Sequence, residues 1–216
     1  MWKEKPLIDS KLILYLSSLG DIVPLDFTVD ILKVKEQLKQ FKNDWKQYNP
    51  RKPIDRQGLS ITSLDGGLSG IPDLDSLFLY NQKYNTDITE KEINIKTDVA
   101  NKVFAIHPIL DIFKTLGRSH FIRLNSGGFF PPHRDGKILN VTCFRIITLC
   151  HNCSPTKFSF VYEDKLIKLE PGRPYFVNTR KTHSVFSYID DSVQCVLNVP
   201  LTEDNYNSVV GHLREK

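Results

Sequence analysis

His133 and Asp135 stand two positions apart at the end of the run RSHFIRLNSGGFFPPHRD, residues 118–135. In extended chain, positions two apart point to the same side. One imidazole and one carboxylate therefore converge, as two ligands of a single metal would. The best third ligand is His183, in the strand-like segment KTHSVFS, 50 positions after His133. Two histidines and one carboxylate suit iron(II) and leave coordination positions open for a chelating cosubstrate and dioxygen. His-x-Asp alone is a short pattern, and a chain with six histidines will match it by chance. Its weight comes from its setting: a Gly-Gly turn and a Pro-Pro pair before it, in a region that reads as all-β. A rival metal reading is Cys150-His151-Asn152-Cys153, half of a zinc site that Cys143, Cys195 or His151 would have to complete. It lacks a second C-x-x-C, and the plainer reading is free thiols in a loop and strands. Gly66-Gly67 and Gly70 lack the Lys-Ser/Thr of a phosphate loop and read as turns.

The elements that must position these residues are mostly strands. From about residue 117 the candidates are 118–125, 140–149, 157–162, 165–169, 174–178, 182–188 and 192–199, separated by turn signals at the spacing of a β sandwich or barrel. Helical segments come before many strands, with no helices between them, which excludes a doubly wound α/β sheet. The clearest helix is expected from Val29 to about Tyr48. Ile31, Val34, Leu38, Phe41 and Trp45 share one face, Thr28 is a candidate cap, and Pro50 and Pro53 end it. Its lysines, at 33, 35, 39, 43 and 46, fall mostly off that face and read first as a solvated surface, with an anionic partner as the alternative. Short helices are expected at 73–80 and from Pro108 to Gly117, and a short strand-like stretch within 56–72.

The ordered elements R-x-x-x-x-R-L-x-x-G-G-x-x-x-P-H-x-D, F-R-I-I-T-L, L-E-P-G-R-P-Y-F-V-N-T and H-S-V-F resemble the aspartyl/asparaginyl β-hydroxylase-like branch of the Fe(II)/2-oxoglutarate-dependent dioxygenases, which includes hydroxylases of free proline. The resemblance covers about residues 117–200. It implies a mainly β fold with N-terminal helices, a double-stranded β-helix (jelly-roll, cupin-like). It implies Fe(II), with 2-oxoglutarate as cosubstrate converted to succinate and CO2 as an amino acid or an Asp/Asn/Pro-type side chain is hydroxylated. His133, Asp135 and His183 match the metal ligands and catalytic centre. Arg145 matches an arginine that holds 2-oxoglutarate, whose distal carboxylate needs a cation and best of all a bidentate guanidinium. The sequence departs from the family beyond His183. A second arginine is expected there, and Val193, ten positions on, stands in its register with Gln194 beside it. Arg118, Arg123 and Arg180 are the candidates to replace it. Arg118 and Arg123 have opposite parity, so a regular strand turns at most one of them inward. Phe129, Phe130, Tyr175 and Phe176 are candidates for an apolar wall around the site, and Asn125 and Asn178 for substrate contacts at its mouth.

The division expected is an N-terminal part, 1–116, packing on a catalytic core, 117–205, with a tail, 206–216, all within one compact domain. The 216 residues are 40% hydrophobic and 25% charged, a composition that supports a sizeable core and argues against disorder. The net charge of +4 is too small and too scattered to indicate nucleic acid. No apolar run approaches the roughly 18 residues of a membrane span. Glu4 and Asp9 oppose a signal-peptide reading of the apolar stretch at 12–16, and four cysteines are few for a disulfide scaffold, so a cytoplasmic protein with reduced thiols is the expectation. The partners expected are a small-molecule substrate or an amino-acid side chain, with no nucleic acid and no membrane. Two other classes stay open: a jelly-roll binding or structural module without turnover, and a metal cupin that does not use 2-oxoglutarate.

Overall fold

A computed structural model describes residues 10–135 and 143–213. In chain order the strands are β1 Ile22–Pro24, β2 Lys46–Gln47, β3 Arg56–Ser60, β4 Thr62–Ser63, β5 Ile95–Lys96, β6 His120–Leu124, β7 Phe129–His133, β8 Cys143–His151, β9 Phe158–Tyr162, β10 Lys165–Ile167, β11 Pro174–Val177, β12 His183–Ser187 and β13 Ser192–Pro200. The helices are α1 Ser10–Leu19, α2 Ile31–Leu38, α3 Leu77–Tyr84, α4 Asp98–Lys102, α5 His107–Leu110 and α6 Glu203–Gly211. Strands β6 to β13 form a jelly roll. One sheet runs β11-β8-β13-β6 and the facing sheet β10-β9-β12-β7, with every pairing antiparallel. The first sheet is widened at both edges by N-terminal strands, β1 beside β11, and β3 then β2 beside β6.

The large sheet separates two cores, because period-2 alternation sends neighbouring residues to opposite faces. On β6, Ile122 and Leu124 join the core between the sheets, and Phe121 joins the core under the helices. On β8, Ile147 and Leu149 face the first and Phe144 and Ile146 the second. The helix-side core gathers Val34, Leu38 and Phe41 with Ile106 and Ile109, all buried.

The seven strands expected from residue 118 onward are present, each within a few residues of its expected bounds; residues 140–142 lie outside the described ones, as do Glu4 and Asp9. The N-terminal part differs. The helix expected over 29–48 is α2 alone, capped by the Asp30 carboxylate on the N–H groups of Leu32 and Lys33, not by Thr28. Past Leu38 the chain tightens into a 3-10 turn through Phe41 and then extends, so that Lys46 and Gln47 pair with Gly58 and Gln57. Sheet pairing has overridden a continuing helical pattern. The helix expected at 73–80 lies at Leu77–Tyr84, capped by Ser76, and the one expected from Pro108 to Gly117 is the single turn of α5. Residues 203–211, partly assigned to a tail, form α6, whose Val209 is fully buried.

Candidate functional site

Between the sheets lies a cavity of about 170 Å³, and the three candidate ligands meet at it. His133 ends β7 and His183 begins β12, and the two are cross-strand partners with ring centroids 4.2 Å apart. Asp135 follows β7, fixed by its backbone N–H donating to the Thr179 carbonyl at 2.9 Å. One donor atom from each of the three lies within 4.8 Å of the others, and this is the one such group of three or more among the described residues. The turn before β7 accounts for the local geometry. Gly127 has φ +80°, and a Cβ on Gly128 would meet the Asp55 carbonyl at 2.5 Å, so the chain reverses tightly there.

The chemistry of this donor set fits a metal. Nδ1 of His133 lies 2.8 Å from the Pro131 carbonyl, and Nδ1 of His183 lies 3.0 Å from the Lys181 carbonyl. Each ring N–H is thereby committed to a backbone acceptor, which leaves both Nε2 lone pairs for an ion; metal-binding histidines are held in this way. His133 Nε2 is 3.6 Å from the Asp135 carboxylate. Burial pushes the Asp135 carboxyl up, but the Arg145 guanidinium, and after it the rings of His183 and His133, hold it below the ordinary value. Burial keeps His183 below the usual histidine range, which favours the neutral, ligating form.

Behind the triad sits Arg145, on β8, its side chain 10% exposed. Its Nη2 lies 2.9 and 3.0 Å from the two carboxylate oxygens of Glu90, and its Nε lies 3.3 Å from Asp135. Burial disfavours the charge, but Glu90 first and then Asp135 outweigh it and hold Arg145 above the ordinary arginine value. Arg118 also lines the cavity. Its Nε and Nη2 donate to the backbone carbonyls of Asp73 and Asp75, and its Nη1 is 3.9 Å from Glu90. Glu90 was not a candidate from the sequence: it is one acid in a polar loop, and its main partner is 55 positions away.

The other sequence candidates divide. Arg123 turns to the opposite face of the large sheet and is corrected as a residue of this cavity. Its guanidinium stacks on Trp45 at 4.3 Å, donates to Gln57 and faces Asp191. Arg180 borders a separate small cavity with Phe144 and Phe176. Val193 belongs to the helix-side core, and Gln194, the next residue, lines the site cavity. Of the four aromatic candidates only Phe130 lines the cavity, with Tyr48 at 5.5 Å as its neighbour. Asn125 donates to Asp55 and Asn178 to Asp21. A histidine not singled out from the sequence, His120 on β6, also lines the site; it is buried, and that burial, followed by Arg118 and Arg145, keeps it neutral. None of the four cysteines is in a disulfide and all are buried, and burial pushes Cys150 up to about 12 and Cys153 higher still. Among the described residues, the C-x-x-C joins no cluster of three or more potential ligands.

No family model matches the chain, and no curated protein matches it. Among solved structures it is similar to a prolyl hydroxylase from Trichoplax adhaerens in complex with a hypoxia inducible factor oxygen degradation domain peptide fragment. That match has a TM-score of 0.52 at 12% identity and covers 92% of this chain and 93% of that one. It is also similar to a Pseudomonas putida prolyl-4-hydroxylase, with a TM-score of 0.49 at 12% identity, over 88% of this chain and 98% of that one. KdgF from Halomonas sp. aligns at a TM-score of 0.38 and 13% identity, over 76% and 91%. At these identities the likeness concerns architecture alone: the chain has an antiparallel, mainly β jelly-roll fold.

Proposed function

We infer that this protein is a non-haem Fe(II)- and 2-oxoglutarate-dependent dioxygenase that hydroxylates an amino acid or an Asp/Asn/Pro-type side chain. The single observation that carries the reading is the convergence of His133, Asp135 and His183 donor atoms within 4.8 Å, at a cavity that Arg145 also lines. The quoted motifs support assignment to the aspartyl/asparaginyl hydroxylase-like branch. His133, Asp135 and His183 would hold the iron, and Arg145, assisted by Arg118, would receive the distal carboxylate of 2-oxoglutarate. Iron bound there supplies the oxidative chemistry that couples decarboxylation of 2-oxoglutarate to insertion of oxygen into a C–H bond. The chain's own part is positioning and shielding. The Pro131 and Lys181 carbonyls fix the two imidazoles with Nε2 forward. Ile122, Ile147, Val185 and Val196 line the cavity with apolar surface, which disfavours bulk water.

Anaerobic titration of the Fe(II)-loaded protein with 2-oxoglutarate tests this, because chelation produces a metal-to-ligand charge-transfer band in the visible. The band is expected with the wild type and absent with His183→Ala. A wild type that binds iron and shows no band contradicts the reading. A second reading, a metal cupin without 2-oxoglutarate, is favoured by one observation: Arg145 is already ion-paired with Glu90. It predicts metal binding with no effect of the diacid.

A further inference from the structure

The two cations at the inner end of the cavity already hold a carboxylate. Glu90 places both oxygens on Arg145 Nη2, and its Oε1 is 3.4 Å from Asn198 Nδ2 and 3.9 Å from Arg118. This is the set of donors that the free carboxylate of a diacid would seek. Glu90 is held near them by its backbone: its carbonyl accepts the Arg118 N–H at 2.8 Å. Its neighbour Glu92 is committed elsewhere, accepting from Thr89 within the same loop. The Glu90 side chain is 26% exposed, against 10% for Arg145, so the acid is the more solvent-accessible member of the pair.

Charge favours an exchange. The arginines and carboxylates of the cavity balance: Arg118 and Arg145 against Glu90 and Asp135. A divalent ion on the triad leaves two positive charges, three once Glu90 swings out, and a dianion offsets two of them. Arg145 Nη2, which the distal carboxylate of that dianion would seek, is where Glu90 now sits. Resting on the function inferred above, we propose that Glu90 is a tethered carboxylate that occupies the cosubstrate's arginine clamp, and that a 2-oxo diacid binds by displacing it. A group tethered beside its partner competes at an effective concentration in the millimolar range, so a free diacid binds more weakly than the clamp alone would allow. Glu90 thereby sets the concentration of diacid at which the site fills. It also discriminates between ligands, because a 2-oxo monoacid that reaches the metal without touching the arginines does not have to displace it.

The test is calorimetric titration of the intact, Mn(II)-loaded protein under anaerobic conditions with 2-oxoglutarate and, separately, with pyruvate, which has the 2-oxo carboxylate and no distal one. Mn(II) affinity is measured first in each variant. Glu90→Gln is expected to bind 2-oxoglutarate about tenfold or more tightly than wild type, with pyruvate unchanged. Glu90→Asp, which retracts the charge by one methylene, is expected to fall between the two and serves if Glu90→Gln fails to fold. Equal or weaker 2-oxoglutarate binding in the variants overturns the proposal and makes Glu90 a support for Arg145, while the function reading stands. Metal binding without any 2-oxoglutarate binding, in wild type and variants alike, overturns both.

Discussion

Arg123 and Arg145 sit on strands of one sheet, each between apolar neighbours, and end in different surroundings. On the cavity face, Arg145 is buried and meets two carboxylates. On the helix face, Arg123 lies half-buried on Trp45, with Gln57 and, at 4.0 Å, Asp191. The difference is one of parity: within a strand, a shift of one residue moves a side chain from one face to the other. Val193 and Gln194 repeat the lesson on β13, one in the helix-side core and the next in the cavity. The candidate site therefore lies on one face of the large sheet, and the helix-side core on the other.

The largest effect should come from Arg145→Ala. It leaves Arg118, 3.9 Å from Glu90, as the remaining guanidinium for two carboxylates, a loss of about 3–5 kcal/mol for a broken buried pair, readable in a urea titration. It should also abolish 2-oxoglutarate binding. Arg123→Ala is expected to leave 2-oxoglutarate affinity unchanged and to cost only about 1 kcal/mol, because its charge partner is distant and partly solvated. If the two variants behave alike, the division between the faces is wrong. Val193→Ala should cost about 1–2 kcal/mol from lost apolar burial with no change in metal or diacid affinity. Gln194→Ala should show the converse, altered ligand affinity with little change in the unfolding midpoint.

The smallest effect concerns Asp73, whose backbone carbonyl accepts from Arg118 at the cavity's edge. Burial raises its carboxyl above the ordinary value, against a hydrogen bond from Ser60. Between the ordinary and the raised value the folded chain holds a proton that the unfolded chain has lost. This group's contribution to stability is therefore greatest at acid pH and declines as pH rises through that window. Asp73→Asn should remove that dependence, seen as the difference between wild-type and variant melting temperatures across pH 3–7, with the variant relatively more stable at the neutral end.

What could be read in the chain followed from local signals. Strands β8 to β13 were legible because apolar runs are bounded by turn residues, as at Asn152, Glu163, Asp164 and Asp191, all with positive φ. The candidate triad was legible because two of its members are two residues apart in extended chain. The strand-like stretch expected within 56–72 is β3 and β4, but strands β1 and β2 were not legible. They are short and take their structure from partners far along the chain, such as Tyr175 and Phe176 for β1. The helix stops at Leu38, short of its sequence pattern, because Trp45 continues the helical period yet packs against Arg123 from beyond the 3-10 turn. Glu90 had no local signature at all. The one clue was electrostatic: a buried arginine and a partly buried one in one cavity, Arg145 and Arg118, need more negative charge than Asp135 provides.

The position of β7 has a further consequence. Among the described residues it is the outer strand of the four-stranded sheet, hydrogen-bonded there to β12. An outer strand is the part of a sheet most prone to fraying. His133 and His183 face each other across that single seam, so an ion shared between them would act as a rivet at the sheet's margin. Occupancy of the site should thus be visible without any turnover, as slower amide hydrogen exchange along residues 129–133.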